Sequence, residues 1–186
     1  MSIMQSGFAE VKLTQGLMTI IDVEDLELVS QYKWCAHRDG NTHYAVSRQR
    51  IHGSPRRQQT IKLHRVLLNP PAGMYVDHIN GNGLCNIRAN LRLCTNVENG
   101  RNRRKQAGTS SEFKGVSKLS KGQPPKPWLA SIKFDKKIHT RCFATELEAA
   151  QWYDEMAREH FGEFAKLNFP NSELEPNGRE DEAVSG

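Results

Sequence analysis

Residues 76–105 read VDHINGNGLCNIRANLRLCTNVENGRNRRK, and this stretch decides the fold of the chain. Its pattern is a short apolar strand, a polar loop rich in Asn and Gly, a second strand and then a helix. The helix is predicted to begin at Thr95, because a threonine followed three residues later by Glu98 fits a capping box. This order brings the end of the first strand and the first turns of the helix to one rim. We therefore expect a cluster of Asp77, His78 and Asn99 there.

These residue types suit the hydrolysis of a phosphodiester. A neutral imidazole such as that of His78 can take a proton from water near physiological pH. The carboxylate of Asp77 and the amide oxygen of Asn99 are hard ligands, of the kind that Mg²⁺ binds while it keeps most of its waters. Asn90, just before the second strand, is expected to hold the loop through hydrogen bonds from its side chain to the backbone.

The joint pattern is more specific than any single residue. Asp77–Asn82, Asn90-Leu91-Arg92 and Glu98-Asn99, with intervals of 12 and 21 residues from His78 to Asn90 and Asn99, resemble the HNH endonuclease motif. The version is the His–Asn–Asn one of phage and intron-encoded homing nucleases. The resemblance covers about residues 60–105, including Leu63-His64-Arg65. It implies a ββα-metal core with His78 as general base and Asn90 as its structural support in the catalytic centre. It also implies that Asp77 and Asn99 bind one Mg²⁺ or Mn²⁺ ion.

A second unit is predicted at residues 113–170. Three β-like runs, at 113–119, 128–134 and 138–144, are followed by a helix that opens at a second capping box, Thr145 to Glu148, and runs to about residue 161. Along the middle run Ser131 and Lys133 alternate with apolar residues, so their side chains should share the face turned away from the helix.

This unit also resembles a known family. Phe113–Val116, Trp128–Ile132, Phe143–Ala150, Tyr153-Asp154 and Leu167–Pro170 look like the Apetala-two (ethylene-response-factor) DNA-binding domain, which is found fused to HNH nucleases of phages and bacteria. The resemblance implies that the exposed sheet face enters the major groove. Because lysines replace family arginines, it implies no base preference. The positions that it places in contact with DNA are Lys114, Ser117, Ser131, Lys133, Lys137 and His139.

Charge and composition limit the class of protein. The formal net charge is +5, and bases cluster at residues 48–65 and 101–141, which favours a polyanionic partner. Arg101, Arg103 and Arg104 are predicted to follow the DNA backbone between the two units. No apolar run is long enough to cross a membrane, and the first residues do not resemble a secretory signal. The four cysteines contain no Cys-x-x-Cys pair, so we expect free thiols in a reducing cytoplasm and no disulfide-linked partner.

We therefore expect an α+β protein in five parts. They are an N-terminal α+β region (1–59), a ββα-metal nuclease core (60–105), a linker (106–112), a three-stranded antiparallel sheet packed on one helix (113–170) and an acidic, disordered tail (171–186). The predicted function is metal-dependent nicking of double-stranded DNA by a monomer. The predicted location is the cytoplasm of a bacterial host, with a phage-encoded gene as one alternative. The alternative is a DNA-binding regulator whose nuclease motif is inactive.

Overall fold

The computed structural model describes residues 2–3, 7–51, 54–103, 105, 108–120 and 125–170, which divide into two compact units. The first unit comprises Met1–Arg104 and Phe161–Ala165, and the second comprises Lys105–His160 and Lys166–Gly186. Both units mix helices and strands, so the predicted α+β class is confirmed. No helix in the described ranges is both long and apolar enough to cross a membrane.

In its described residues, the first unit contains three small sheets and three short α-helices. The sheets have the strand orders β1-β2-β3-β8, β4-β5-β6 and β7-β9. In chain order the elements are β1 (Ser2–Ile3), β2 (Phe8–Lys12), β3 (Met18–Asp22), α1 (Leu26–Ser30), β4 (Cys35–Asp39), β5 (Thr42–Ile51), β6 (Ser54–Lys62), α2 (Leu63–Leu68), β7 (Tyr75–His78), β8 (Cys85–Asn86), β9 (Leu91–Cys94) and α3 (Asn96–Arg101).

The first unit has one apolar core that crosses the predicted boundary at residue 60. Ile21, Val29 and Ala45 pack in the same buried cluster as Leu63 and Leu91. In addition, β8, from within the nuclease motif, pairs in parallel with β3 and completes the N-terminal sheet. The expected separation of 1–59 from 60–105 is therefore corrected to a single body, because neither segment buries its apolar residues alone.

The second unit contains the predicted strands and helix. They are β10 (Val116–Lys118), β11 (Trp128–Phe134), β12 (Lys137–Phe143) and α4 (Glu146–Phe161), and the strands form one antiparallel sheet in that order. Val116 and Ala130 of the sheet pack against Ala149 and Ala150 of the helix. Gly115 allows this close packing, because it has φ +76° and a Cβ there would lie 2.1 Å from the Tyr153 ring.

Capping and loop contacts define the ends of this unit. The second capping box is present, since the Glu148 amide donates to Thr145 Oγ1 at 3.2 Å and the Thr145 amide donates to Glu148 Oε2 at 3.1 Å. The predicted linker is corrected in its described part, 108–112: Ser111 is buried and Ser110 Oγ accepts a hydrogen bond from the Lys118 amide. These residues therefore belong to the packed unit, whereas the predicted tail, 171–186, lies outside the described residues.

Candidate active site

The predicted strand–loop–strand–helix order is present around the candidate site. β7 and β9 pair antiparallel, with His78 opposite Leu91. Asn90 holds the intervening loop: its Oδ1 accepts from the Asn80 amide at 3.0 Å, and its Nδ2 donates to the Cys85 carbonyl at 2.7 Å. Its side chain therefore braces the loop that follows His78. The loop also packs tightly on β5, because a Cβ at Gly83 would lie 2.5 Å from the His43 carbonyl oxygen.

His78 is buried, with 5% of its surface exposed, and its Nε2 lies 3.1 Å from Asn86 Oδ1. The Asn86 amide nitrogen donates to Thr19 Oγ1 at 2.8 Å and to the Gly83 carbonyl at 3.3 Å. Since that nitrogen is engaged, Asn86 Oδ1 accepts, and His78 Nε2 must carry the proton. This network leaves Nδ1 as the basic nitrogen of His78.

The electrostatic surroundings keep His78 neutral. Burial lowers the pKa of His78, and the hydrogen bond to Asn86 and the charge of Asp77 offset part of that change. The ring is therefore a free base at physiological pH. Sequence reasoning missed Asn86, whose contact with Thr19 spans 67 positions along the chain and leaves no local signal.

Asp77 lies in a buried network of hydrogen bonds. Arg92, directly opposite it across the β7–β9 pair, donates from Nε and Nη2 to Asp77 Oδ2 at 3.1 and 2.8 Å. Asn102 Nδ2 donates to Asp77 Oδ1 at 3.1 Å, to Oδ2 at 2.9 Å and to the His78 carbonyl at 3.0 Å. The carboxylate is thus held in place by Arg92 and Asn102, and both of these residues were missed in the sequence.

Helix α3 positions Asn99 at the candidate site of Asp77 and His78. Its capping box is complete, because the Glu98 amide donates to Thr95 Oγ1 at 3.3 Å and the Thr95 amide donates to Glu98 Oε2 at 2.7 Å. Asn99 is half-buried and lines one cleft of about 710 Å³ together with Asp77 and His78. The structure therefore brings these three predicted residues to one cleft, while Asn90 lies behind it in the loop.

The basic residues after Asn99 divide among different environments. Arg103 is exposed and lines the cleft. The Arg101 guanidinium instead lies 4.5 Å from the centre of the Phe161 ring, in a cation–π contact. Arg104 lies outside the described residues.

The donor set suits a hard divalent cation. Among the described residues, Asp77 Oδ1 accepts a hydrogen bond from Asn102 Nδ2 alone, while Oδ2 also accepts two from Arg92. A lone pair of Oδ1 thus stays open for a cation, and the amide of Asn99 lines the same cleft. The described residues contain no group of three or more His, Cys, Asp or Glu side chains that could hold a metal. A site here would therefore use two protein oxygens and several waters, as Mg²⁺ tolerates.

His64, on α2, packs against the candidate base. Its ring meets the His78 ring edge-to-face at 4.9 Å between centroids, and Tyr44 contacts both rings. Burial lowers the pKa of His64 to about 3, with further lowering by His78 when that ring is protonated and by the nearby charges of Lys62 and Arg65. The His64 ring is therefore neutral and extends the apolar wall behind His78.

Lowering the pH should destabilise the first unit through His64. The folded pKa of about 3 lies below the ordinary value of 6.5, so the unfolded state binds more protons between these values. The buried neutral His64 ring therefore contributes fully to the free energy of unfolding above pH 6.5. That contribution is lost as the pH falls toward 3, by up to about 1.4 kcal/mol per pH unit. Urea unfolding in chelator should show a shallower pH dependence for His64→Gln than for wild type. The exposed His37→Gln is the control, and equal slopes for His64→Gln and wild type would contradict this prediction.

The sheet of the second unit separates the predicted contact residues. Ser131 and Lys133 lie on one face, and Ser117 joins them because it pairs with Leu129. His139 is a correction: it pairs with the buried Ile132 and stacks on Phe134 at 3.8 Å, so it lies on the helix-facing side. Lys137 pairs with Phe134 and shares that side, at the exposed end of the strand.

Lys114 differs from the other predicted contact residues in its burial. It is half-buried beside Gly115, and burial together with the nearby Lys166 lowers its pKa to about 8. The backbone at Lys114 is held in place, because its amide donates a hydrogen bond to Asn168 Oδ1 at 2.7 Å. Exposed positive charge on the outer sheet face therefore comes from Lys133.

The cleft thus holds a buried neutral histidine, a hydrogen-bonded carboxylate and an amide, between two antiparallel strands and a helix. Residues 69–101 match the family model described as HNH endonuclease. A relative from Acanthamoeba polyphaga mimivirus, named Uncharacterized HNH endonuclease L560, is 34% identical over 156 residues, covering 83% of this chain and 76% of its own. The chain therefore belongs to the HNH endonuclease family and is a DNA endonuclease.

A second relative matches the chain over a shorter region. Protein 3.8 of Escherichia phage T7 is 33% identical over 97 residues, which are 52% of this chain and 78% of that protein. No solved structure matches the chain.

Proposed function

We propose that this endonuclease cuts one strand of duplex DNA at a ββα-metal centre formed by β7, β9 and α3. The observation that carries the proposal is the neutral His78, oriented by Asn86 at a cleft that Asp77 and Asn99 also line. A single such centre in a monomer predicts nicks. Breaks in both strands would then require two binding events.

In the proposed reaction, His78 Nδ1 removes a proton from water as the water oxygen attacks the phosphorus. One P–O bond forms, the opposite P–O bond breaks, and the departing oxygen takes a proton from solvent. Asp77 and Asn99 would hold a divalent cation, Mg²⁺ or Mn²⁺, which supplies charge stabilisation at the phosphate and the departing oxygen. Arg92 and Asn102 hold Asp77 in place, and Asn90 keeps the loop closed.

The second unit is proposed to hold the enzyme on DNA. Its outer sheet face presents Ser117, Ser131 and Lys133, which are donors and a cation suited to phosphate contacts. The match to the mimivirus relative is longer than the first unit, so it extends into this one. The three-stranded antiparallel sheet packed on one helix supports an Apetala-two-like role in DNA binding, with Lys133 rather than His139 as a contact residue.

Plasmid nicking and DNA binding, measured in parallel, test the proposal. We expect supercoiled plasmid to be nicked with Mg²⁺ or Mn²⁺ and to stay intact with chelator, because charge on the departing oxygen is then unbalanced. Duplex binding should persist in chelator, since the basic surfaces need no metal. Equal nicking with and without chelator would exclude the metal centre. DNA binding without nicking in the presence of each metal tested would favour the alternative, a DNA-binding regulator with an inactive nuclease motif.

A further inference from the structure

We propose that the outer part of the β5–β6 hairpin reads base edges in the DNA major groove, next to the nuclease centre. This part, called the outer ribbon, consists of residues 48–51 of β5 and 57–60 of β6. The proposal rests on the proposed function, because it takes duplex DNA as the partner. It adds a second reading element, within the nuclease unit, to the sheet of the second unit.

The outer ribbon lacks a third strand. β4 pairs with β5 only from Thr42 to Val46, so beyond Val46 the described pairing of β5 is with β6 alone. The base of the hairpin is anchored, since Ala45, Val46 and Ser47 are buried. Within the outer ribbon the side chains are exposed, apart from the half-buried Gln49. A two-stranded ribbon with a fixed base therefore projects from the core.

The exposed side chains of the outer ribbon are of the residue types that contact bases in other DNA-binding proteins. On one face Arg48 pairs with Thr60, and Arg50 pairs with Gln58. Arginine binds guanine and glutamine binds adenine through paired hydrogen bonds in the major groove. Ile51, which is 39% exposed near the end of the ribbon, offers an apolar contact of the kind that a thymine methyl accepts.

The charge of the ribbon is uncompensated. The outer ribbon contains three arginines, Arg48, Arg50 and Arg57, and no acid. Within the described part of the chain, the ion pairs do not involve Arg48, Arg50 or Arg57. Positive charge with no internal partner complements the phosphates that border the groove. Glutamines between the arginines indicate base reading in addition to phosphate attraction.

The length of the outer ribbon also fits the DNA major groove. Four residues of extended strand span about 13 Å at about 3.3 Å each. The major groove is about 12 Å wide and about 8.5 Å deep, and it admits a two-stranded β-ribbon. The outer ribbon is therefore long enough to reach the groove floor.

The test is selection of bound duplexes from a randomised pool by the full chain in chelator, so that the readout is independent of cleavage. Arg50→Lys keeps the charge but loses the planar fork, and Gln58→Ala removes the amide. Each should reduce discrimination about tenfold at one to three adjacent base pairs, the cost of one paired contact. Arg38→Lys, an exposed arginine on β4, is the matched control and should select as wild type does.

The outcomes are decisive in both directions. Lost preference at a short block of bases in Arg50→Lys, with total binding retained, supports base reading. Wild-type selection by both Arg50→Lys and Gln58→Ala overturns it, as does an Arg50→Ala variant that changes only the salt dependence, because that is a phosphate contact. Thermal unfolding checks that the exposed substitutions leave the fold intact. Failure of nicking in wild type would count against the proposed function and leave the selection readable.

Discussion

His78→Ala is expected to lower the rate of metal-dependent plasmid nicking by about 10²–10⁴-fold, the usual contribution of a general base. The physical reason is that the neutral ring has Nε2 engaged with Asn86, which leaves Nδ1 as the group that accepts the proton from water. Alanine offers no basic atom, while the Asp77 network that would hold the cation remains. The measurement is a single-turnover nicking rate at saturating enzyme with Mg²⁺.

The control for this variant separates chemistry from stability. Because His78 is buried, its removal also leaves Asn86 Oδ1 without its partner and can lower the melting temperature. His78→Asn, which is polar but not basic, should be equally inactive, and the exposed His37→Ala should cut as wild type does. A folded His78→Ala protein with the wild-type rate would exclude His78 as the base.

Arg92→Met is expected to destabilise the protein by about 3 kcal/mol, within the range for breaking a buried ion pair. Only 11% of the Arg92 side chain and 8% of the Asp77 side chain are exposed, so methionine would leave the carboxylate desolvated with Asn102 as its remaining donor. Arg92 also lies 4.2 Å from the centre of the Phe164 ring. Urea denaturation with a fitted free energy of unfolding measures the effect.

A double substitution identifies the origin of that cost. Asp77→Asn removes the charge, so Arg92→Met added to it should cost much less than in wild type. Lys62→Met, which breaks the exposed Lys62–Asp39 pair at 3.4 Å, should cost less than about 1 kcal/mol. An Arg92→Met protein as stable as the Lys62→Met protein would show that the Asp77 pair is not energetically important.

Sequence reasoning succeeded where the signal is local. Both capping boxes start helices at the expected residues, Thr95 and Thr145, because each reciprocal hydrogen bond joins groups three residues apart. The three strands of the second unit follow from turn residues and alternation in short windows. Such patterns involve residues that are close together in the sequence, so they can be recognised without the rest of the chain.

Prediction was weaker where a residue had to be assigned to one face of a sheet, or a segment to one structural unit. His139 was expected on the DNA-facing side, but its pairing with Ile132 turns it to the helix. Alternation within one strand does not define the register with its neighbour, and the face of a paired residue follows from that register. The boundary at residue 60 failed for a related reason, since β8 joins a strand that lies more than sixty residues earlier.

The order of residues along the chain is thus sufficient for the α+β class, the strand–loop–strand–helix motif and the presence of Asp77, His78, Asn90 and Asn99 in it. The three-dimensional fold assigns the partners: Asn86 and Thr19 behind His78, Arg92 and Asn102 on Asp77, and the exposed outer ribbon. Local hydrogen bonds and periodicity act over a few residues, whereas these contacts join groups from 8 to 67 positions apart and exist only once the chain has packed.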